Sequence, residues 1–237
     1  MLARLRRDYA EAETWLTQSL GNLRLTGSKQ NLGRALNELG MLYLDQGNFS
    51  QALPLFTEWL ALAREMEFAH GISIALLNLG MVTQHLGDLS TAENYYQESL
   101  ALSRQHNLKT NVAMVLNSYG TLLLEQKRLE VAREMLLESV QLNRELGHQD
   151  GLAWAFWGLF LLYHLEGNYE TAAYLAGIQE RFRRDLGAPL PPTNQHHFET
   201  VIHELQQELG ADLFAIYQER GRAMSLNEAL SLTGFKY

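Results

Sequence analysis

The chain matches itself when shifted by forty residues, without a gap, and no other property narrows its fold as sharply. Ala12, Ala52, Ala92, Ala132 and Ala172 fall in one column, and Arg24, Arg64, Arg104, Arg144 and Arg184 fall in another. Three residues ahead of each alanine runs an apolar column of Tyr9, Phe49, Leu89, Leu129 and Tyr169. Leu39, Leu79, Tyr119 and Leu159 form a fourth column, followed directly by Gly40, Gly80, Gly120 and Phe160. A turn column reads Arg7, Gly47, Gly87, Lys127 and Gly167.

Each column has a physical reason. A mid-helix glycine costs about 1 kcal/mol relative to alanine, so Gly40, Gly80 and Gly120 make sense where a second helix must come close. The column alanines serve the same approach from the other side. Gly47, Gly87 and Gly167 stand where a helix stops and the backbone turns left-handed. Ser90 and Glu93 have capping-box spacing and mark the start of the next helix. The arginines fall in a last helical turn, where a cation complements the helix dipole, which points to a structural role. The columns predict antiparallel pairs at 31–46 with 50–66, 71–86 with 90–106, 111–126 with 130–146, and 151–166 with 170–186. Such a pair cannot cover its own apolar face and must stack on the next. The expected fold is all-α: a right-handed α-solenoid of helix hairpins with a curved inner surface and C-terminal capping helices.

The ends depart from the period. Residues 1–30 hold the second-helix columns without a preceding first helix, so the chain starts in mid-repeat. This predicts either the C-terminal portion of a longer protein or a missing helix supplied by another chain. Four repeats occupy 31–188. Pro189, Pro191 and Pro192, three of the four prolines, break the pattern at 189–192. Residues 193–237 then read as capping helices at 193–209, 211–220 and 225–232, the last opened by a Ser225 to Glu228 capping box.

Composition removes several function classes. The 19 Lys and Arg against 27 Asp and Glu leave a net charge of -8, with no basic run longer than Arg6-Arg7 or Arg183-Arg184. Direct nucleic-acid binding is not expected. Cysteine is absent, which excludes disulfides, thiolate chemistry and Cys-based metal centres. The longest apolar stretch, Gly151 to Tyr163, is about a dozen residues against the roughly 20 a membrane helix needs. The charged N-terminus lacks the apolar core of a secretion signal, so the expectation is a cytoplasmic protein that does not enter membranes.

Catalytic motifs are missing too. Gly21 to Lys29 has some features of a phosphate-binding loop, but the spacing is too long and the Lys and Ser are reversed. No Gly-x-Ser-x-Gly elbow occurs, and Glu11 and Glu13 would point to different sides of a helix. His196, Glu199 and His203 share a helix face as a metal set would, yet no fourth ligand accompanies them. His70, His106 and His148 fall near inter-repeat turns. No metal, cofactor or enzymatic activity is expected.

The columns resemble the tetratricopeptide repeat (TPR), on Leu39-Gly40, Tyr43, Gly47, Phe49 and Ala52. The likeness runs over about residues 1–186, with departures at Lys127 and Phe160 and with longer helices than the usual motif. The tail, Leu186-Gly-Ala-Pro-Leu-Pro-Pro192, Leu209-Gly210, Phe214, Gly221-Arg222 and Ser225 to Leu230, resembles the C-terminal sensor region of bacterial signal-transduction ATPases, including NB-ARC-type (STAND) proteins and LuxR-type transcriptional regulators. That resemblance implies a module that senses or docks something and relays it to an effector.

The candidate binding surface is the concave groove lined by the first helix of each pair. Its residues are Arg34, Asn37, Met41, Asn78, Met81, His85, Asn117, Thr121, Trp154, Trp157 and His164. Amides that orient a backbone, beside methionines and tryptophans that supply area, suit a protein, peptide or small effector. Arg34 alone is a basic residue in the set, so a carboxylate clamp is not expected. The alternative function is a free-standing TPR scaffold that self-associates into a homo-oligomer through its open N-terminal helix.

Overall fold

In a computed structural model, which describes residues 9–233, the chain is all-α. Its helices are α1 (Tyr9–Thr26), α2 (Lys29–Asp45), α3 (Phe49–Glu65), α4 (Ala69–His85), α5 (Leu89–Gln105), α6 (Lys109–Glu125), α7 (Leu129–Leu146), α8 (Gln149–Leu165), α9 (Tyr169–Leu186), α10 (Pro192–Leu209), α11 (Ala211–Ala223) and α12 (Leu226–Leu232). This is a TPR-like helical-repeat solenoid, and every predicted helix is present with its ends displaced by at most three residues. The chain divides into two compact units, Met1–Val115 and Leu116–Tyr237, with the division inside α6.

In the first unit the glycine column does what its cost suggests. A Cβ on Gly40 would lie 2.6 Å from Phe56 Cε1, and one on Gly80 would lie 2.5 Å from Tyr96 Cε1. Both rings are fully buried. Gly33 admits Trp59 in the same way, and Trp59 reaches on to Gly71 and packs edge-on against Phe68. One repeat later Ser73 and Ser99 stand where Gly33 and Trp59 stood. There a buried cluster replaces the ring: Ser73 and Ser99 hydroxyls at 3.1 Å, Ser73 and Ser103 at 2.6 Å. Leu36, Leu42, Leu76, Leu79 and Val82 complete this core, each burial contributing roughly 1.5–3 kcal/mol.

The second unit repeats the device and then inverts it. Gly120 faces Leu136, but the fourth repeat carries Phe160 in the glycine column and Ala176 where Phe56, Tyr96 and Leu136 precede it. The large and small residues have exchanged helices, and both are fully buried. This accounts physically for the departure at Phe160.

Turns and caps refine the expectations. Gly47, Gly87 and Gly167 are left-handed, with φ of 79°, 86° and 72°, and Lys127 joins them at 58°. Arg7 of the same column lies outside the described residues. A second turn column, between repeats, is also left-handed: Gly27, Glu67, Asn107, Gly147 and Gly187. The Ser90 and Glu93 capping box is not formed. α5 starts earlier, and Asp88 caps it by accepting from Thr91 N at 3.1 Å, while Ser90 donates to Asp88 at 2.9 Å. A carboxylate two residues upstream satisfies the free amide and the helix dipole together, so it displaces the serine. The Ser225 to Glu228 box forms as expected. The arginine column also does more than face a helix end: Arg24 bridges to Glu58 and Arg64 to Glu98, both at 2.7 Å, linking successive second helices.

The tail is fastened in two ways. α11 crosses α9 in backbone contact, since a Cβ on Gly177 would sit 1.9 Å from Gln218 O and one on Gly221 2.0 Å from Tyr174 O. Glu180 on α9 accepts from Arg222 Nε at 2.8 Å and from Gln218 at 3.0 Å. Beyond α12, Thr233 O accepts from the Tyr163 hydroxyl of α8 at 2.9 Å. α10 begins with Pro192 at its first position, where the missing N–H costs nothing, and buries only Phe198, Val201 and Leu205.

Candidate functional site

Within the first unit, helical spacing turns Gly33, Leu36 and Gly40 of α2 toward α3 and leaves Arg34, Asn37 and Met41 on another side. The same spacing on α4 gives Asn78 and Met81. Asn78 Nδ2 donates to Asn37 Oδ1 at 2.7 Å, so the two first helices are joined by an amide pair on this side. Asn78 is 3% exposed, Asn37, Met41 and Met81 are half-buried, and Arg34 is exposed. Neither amide makes another hydrogen bond among the described residues. An N–H group of Asn37 and the carbonyl of Asn78 therefore retain capacity, a donor and an acceptor side by side. Ile74 and Met114 occupy the Arg34 position one and two repeats later, half-buried and exposed respectively. Their absence from the expected set was avoidable, since stepping forty residues from Arg34 to Trp154 passes through both.

His85 sits apart from the amide pair. Its ring lies flat on Phe49, with centroids 4.5 Å apart and planes 6° apart, and desolvation of the ring holds its pKa below the ordinary histidine value. It packs one repeat on the next and stays mostly neutral at pH 7.

In the second unit the candidate residues are engaged by the fold. Thr121 donates its hydroxyl to Ser118 O in its own turn at 2.7 Å. Asn117 Oδ1 is buried without a hydrogen-bond partner, in the place next to Gly158 where a Cβ would come within 3.3 Å of it. The Trp154 ring carries the Arg183 guanidinium, 4.1 Å from its centroid. Arg183 is 8% exposed, and burial lowers its pKa against the opposing pull of Asp150, whose Oδ1 is 3.4 Å from Nη1. Trp157, 3% exposed, is surrounded by Phe160, Phe198 and the edge of His197 at 5.7, 6.1 and 5.8 Å between centroids. His164 Nε2 lies 2.8 Å from Glu204 Oε2 of α10. Trp157 and His164 thus hold α10.

No three His, Cys, Asp or Glu among the described residues converge closely enough for a metal ion. Glu199 accepts from Gln195 at 2.7 Å, and His203 is 3.0 Å from Gln207, each along α10 itself. No helix among the described residues is long and apolar enough to cross a membrane.

Comparison with known proteins gives two findings. The family described as "MalT-like TPR region" matches residues 3–175. Among solved structures, the crystal structure of BtubC (BKLC) from P. vanneervenii superposes with a TM-score of 0.65 at 19% sequence identity, over 92% of this chain and 91% of that one. That likeness is one of fold. No curated protein is matched by the sequence.

Proposed function

We propose a function for this chain from its family: it belongs to the MalT-like TPR regions, TPR-type helical modules of MalT-like regulators. Domains of this kind are typically non-catalytic scaffolds. The chain is the sensing or docking module of a bacterial signal-transducing, transcription-regulating ATPase. It binds a protein, a peptide or a small effector on the inner side of its first helices and relays occupancy to the attached effector.

The observation that supports this reading is the Asn37 and Asn78 pair in the first unit. The pair offers a donor and an acceptor, and Met41 and Met81, one helical turn further along the same two helices, supply adaptable apolar area. An amide of a ligand satisfies both at once and completes the hydrogen bonding of the buried Asn78 side chain. Asn37→Ala/Asn78→Ala tests it in titrations of an effector panel and an array of extended peptides, followed by calorimetry. Ligands that bind the native chain and lose at least tenfold affinity in a variant of unchanged helicity support the reading. Ligands that bind both equally move the site elsewhere.

Trp15 favours a second reading, self-association through α1. It is 64% exposed, whereas Leu55, Tyr95 and Met135 in its column are half-buried. Sedimentation of the native chain against Trp15→Glu decides this: a concentration-dependent oligomer abolished by the substitution supports it, and two identical monomers refute it.

A further inference from the structure

We infer that α10 is a releasable strap, opening independently of its neighbours to bare a helix-docking face on α8 formed by Trp157 and Phe160. Three observations carry this. The hold on α10 is narrow: of its eighteen residues Phe198, Val201 and Leu205 are buried, whereas α9, also of eighteen, buries eleven. That row meets α8 through Phe198, whose ring lies 6.1 Å from Trp157 and 5.4 Å from Phe160, with the neighbouring His197 ring 5.8 Å from Trp157. Among the described residues the ion-pair contact between α10 and α8 is Glu204 on His164, with the Glu204 side chain 49% exposed.

Both ends of α10 are hinges. Pro189 and Pro191 precede it and Pro192 opens it, so the chain enters extended, with no N–H at three of the four positions 189–192. Gly210 follows it at φ 80° and ψ 144°, with open space around its α-carbon. The elements beyond have fastenings of their own. α11 is fixed to α9 by the Gly177 and Gly221 crossing and by Glu180 with Arg222, and Thr233 is fixed to Tyr163. α10 can therefore lift or melt while the segments on either side stay in place.

The face uncovered is specific about what it takes. Trp157 and Phe160 receive an aromatic side chain, and α10 follows Phe198 with aliphatic residues three and seven positions on, then sets a carboxylate on His164. The occupant in trans is an amphipathic helix with the same spacing, competing with α10 for its place. This face lies on α8 and is independent of the reading built on α2 and α4.

Hydrogen exchange by mass spectrometry on the full chain tests the opening, with no ligand present. Amides of α10 should exchange at least tenfold faster than those of α9 and α11, and Phe198→Ala should accelerate α10 alone. A fluorescent peptide of residues 192–209 then serves as the helix in trans. It should bind Phe198→Ala at least tenfold more tightly than the native chain, because the apparent affinity scales with the open fraction. Trp157→Ala, added to Phe198→Ala, should remove that binding. Loss of protection by α9, α10 and α11 together overturns the strap, and that result comes from the native chain whether or not a variant folds. An α10 that opens alone while the peptide binds neither protein overturns the docking face.

Discussion

Replacing Gly80 by alanine separates two effects of opposite sign. An interior helix position gains about 1 kcal/mol on exchanging glycine for alanine where space allows. Here the new Cβ would meet Tyr96 at 2.5 Å from Cε1, 2.7 Å from Cδ1 and 3.0 Å from Cζ. An ordinary carbon contact is about 3.5–4 Å, so the ring must retreat by about 1 Å. It is poorly placed to do so, being fully buried with its hydroxyl bound to Gln84 at 2.8 Å. Overpacking of this kind costs roughly 1–3 kcal/mol, and the net expectation is a loss of about 1 kcal/mol for Gly80→Ala. Gly120→Ala meets Leu136 Cδ2 and Cγ at 2.9 Å instead; Leu136 is fully buried and also fills the space at Gly158, so a loss is expected here too, smaller than for Gly80→Ala because the contacts are longer. Combining Gly80→Ala with Tyr96→Leu should cost less than the two singles summed, by about 1 kcal/mol, because the leucine yields where the ring does not. Urea unfolding followed by circular dichroism, with hydrogen exchange in α4 and α5 as the local probe, reads the native chain and the four variants. A Gly80→Ala chain more stable than the native one by about 1 kcal/mol would mean that the helices do not touch there, and the account of the glycine column would fail.

Three further outcomes follow from single contacts. Lys127 holds φ of 58°, which costs a residue with a Cβ about 1–2 kcal/mol, so Lys127→Gly should raise the thermal midpoint by a few degrees; a lower midpoint refutes the strain. Arg64 and Glu98 are both about half exposed, and Arg64→Ala should cost under about 1 kcal/mol and nothing in 1 M salt. Arg133→Ala should cost more and depend less on salt, because Arg133 pairs with the one-fifth exposed Glu166 and lies 5.1 Å over the Tyr163 ring; equal costs for the two arginines would contradict this. Asp88 has its pKa lowered by the hydrogen bonds from Thr91 and Ser90. Its contribution to α5 is complete above the ordinary aspartate pKa of about 3.9 and is lost as pH falls through the lowered folded value. Exchange at the first turn of α5 should quicken in that acid window, and in Asp88→Asn, which keeps a capping oxygen, the acceleration should disappear.

The period was legible because every repeat makes the same contacts, so the same residue types recur at the same step. That is why helix ends could be placed within a few residues from Ala52, Gly40 and Gly47 alone. What the columns conceal is which of them face each other. Gly40, Gly80 and Gly120 announce close approach, but the ring or leucine that fills the space lies sixteen residues on, at Phe56, Tyr96 and Leu136, in a column the pattern does not single out. The second turn column was hidden for a related reason. Glu67 and Asn107 stand in it beside three glycines, and a left-handed glutamate leaves no compositional mark. On the candidate site, the Asn37 and Asn78 contact spans 41 residues rather than forty, so neither amide has the other in its column. Trp157 and His164 looked like ligand contacts because their partners, Phe198 and Glu204, lie beyond the prolines where the period had visibly ended.

Those two spacings carry the argument further. Phe198 follows Trp157 by 41 residues, the step at which Asn78 follows Asn37, and Glu204 follows His164 by forty. α10 therefore meets α8 as one first helix meets the next, although its sequence no longer shows the repeat. The exchange of large and small residues in the fourth repeat explains how. With Ala176 in place of a ring on α9, Phe160 supplies the bulk from α8, and it is Phe160 that Phe198 touches. Earlier first helices present a glycine at that position and look to their own second helix for the ring. The fourth brings its own, and so offers an aromatic face to a helix that need carry only Phe198, Val201 and Leu205 to be held. Restoring the earlier arrangement with Phe160→Gly/Ala176→Leu should keep the fourth pair folded while loosening α10, seen as faster exchange in α10 with α8 and α9 unchanged. If α10 kept its protection in that double variant, the inversion would have no part in holding it.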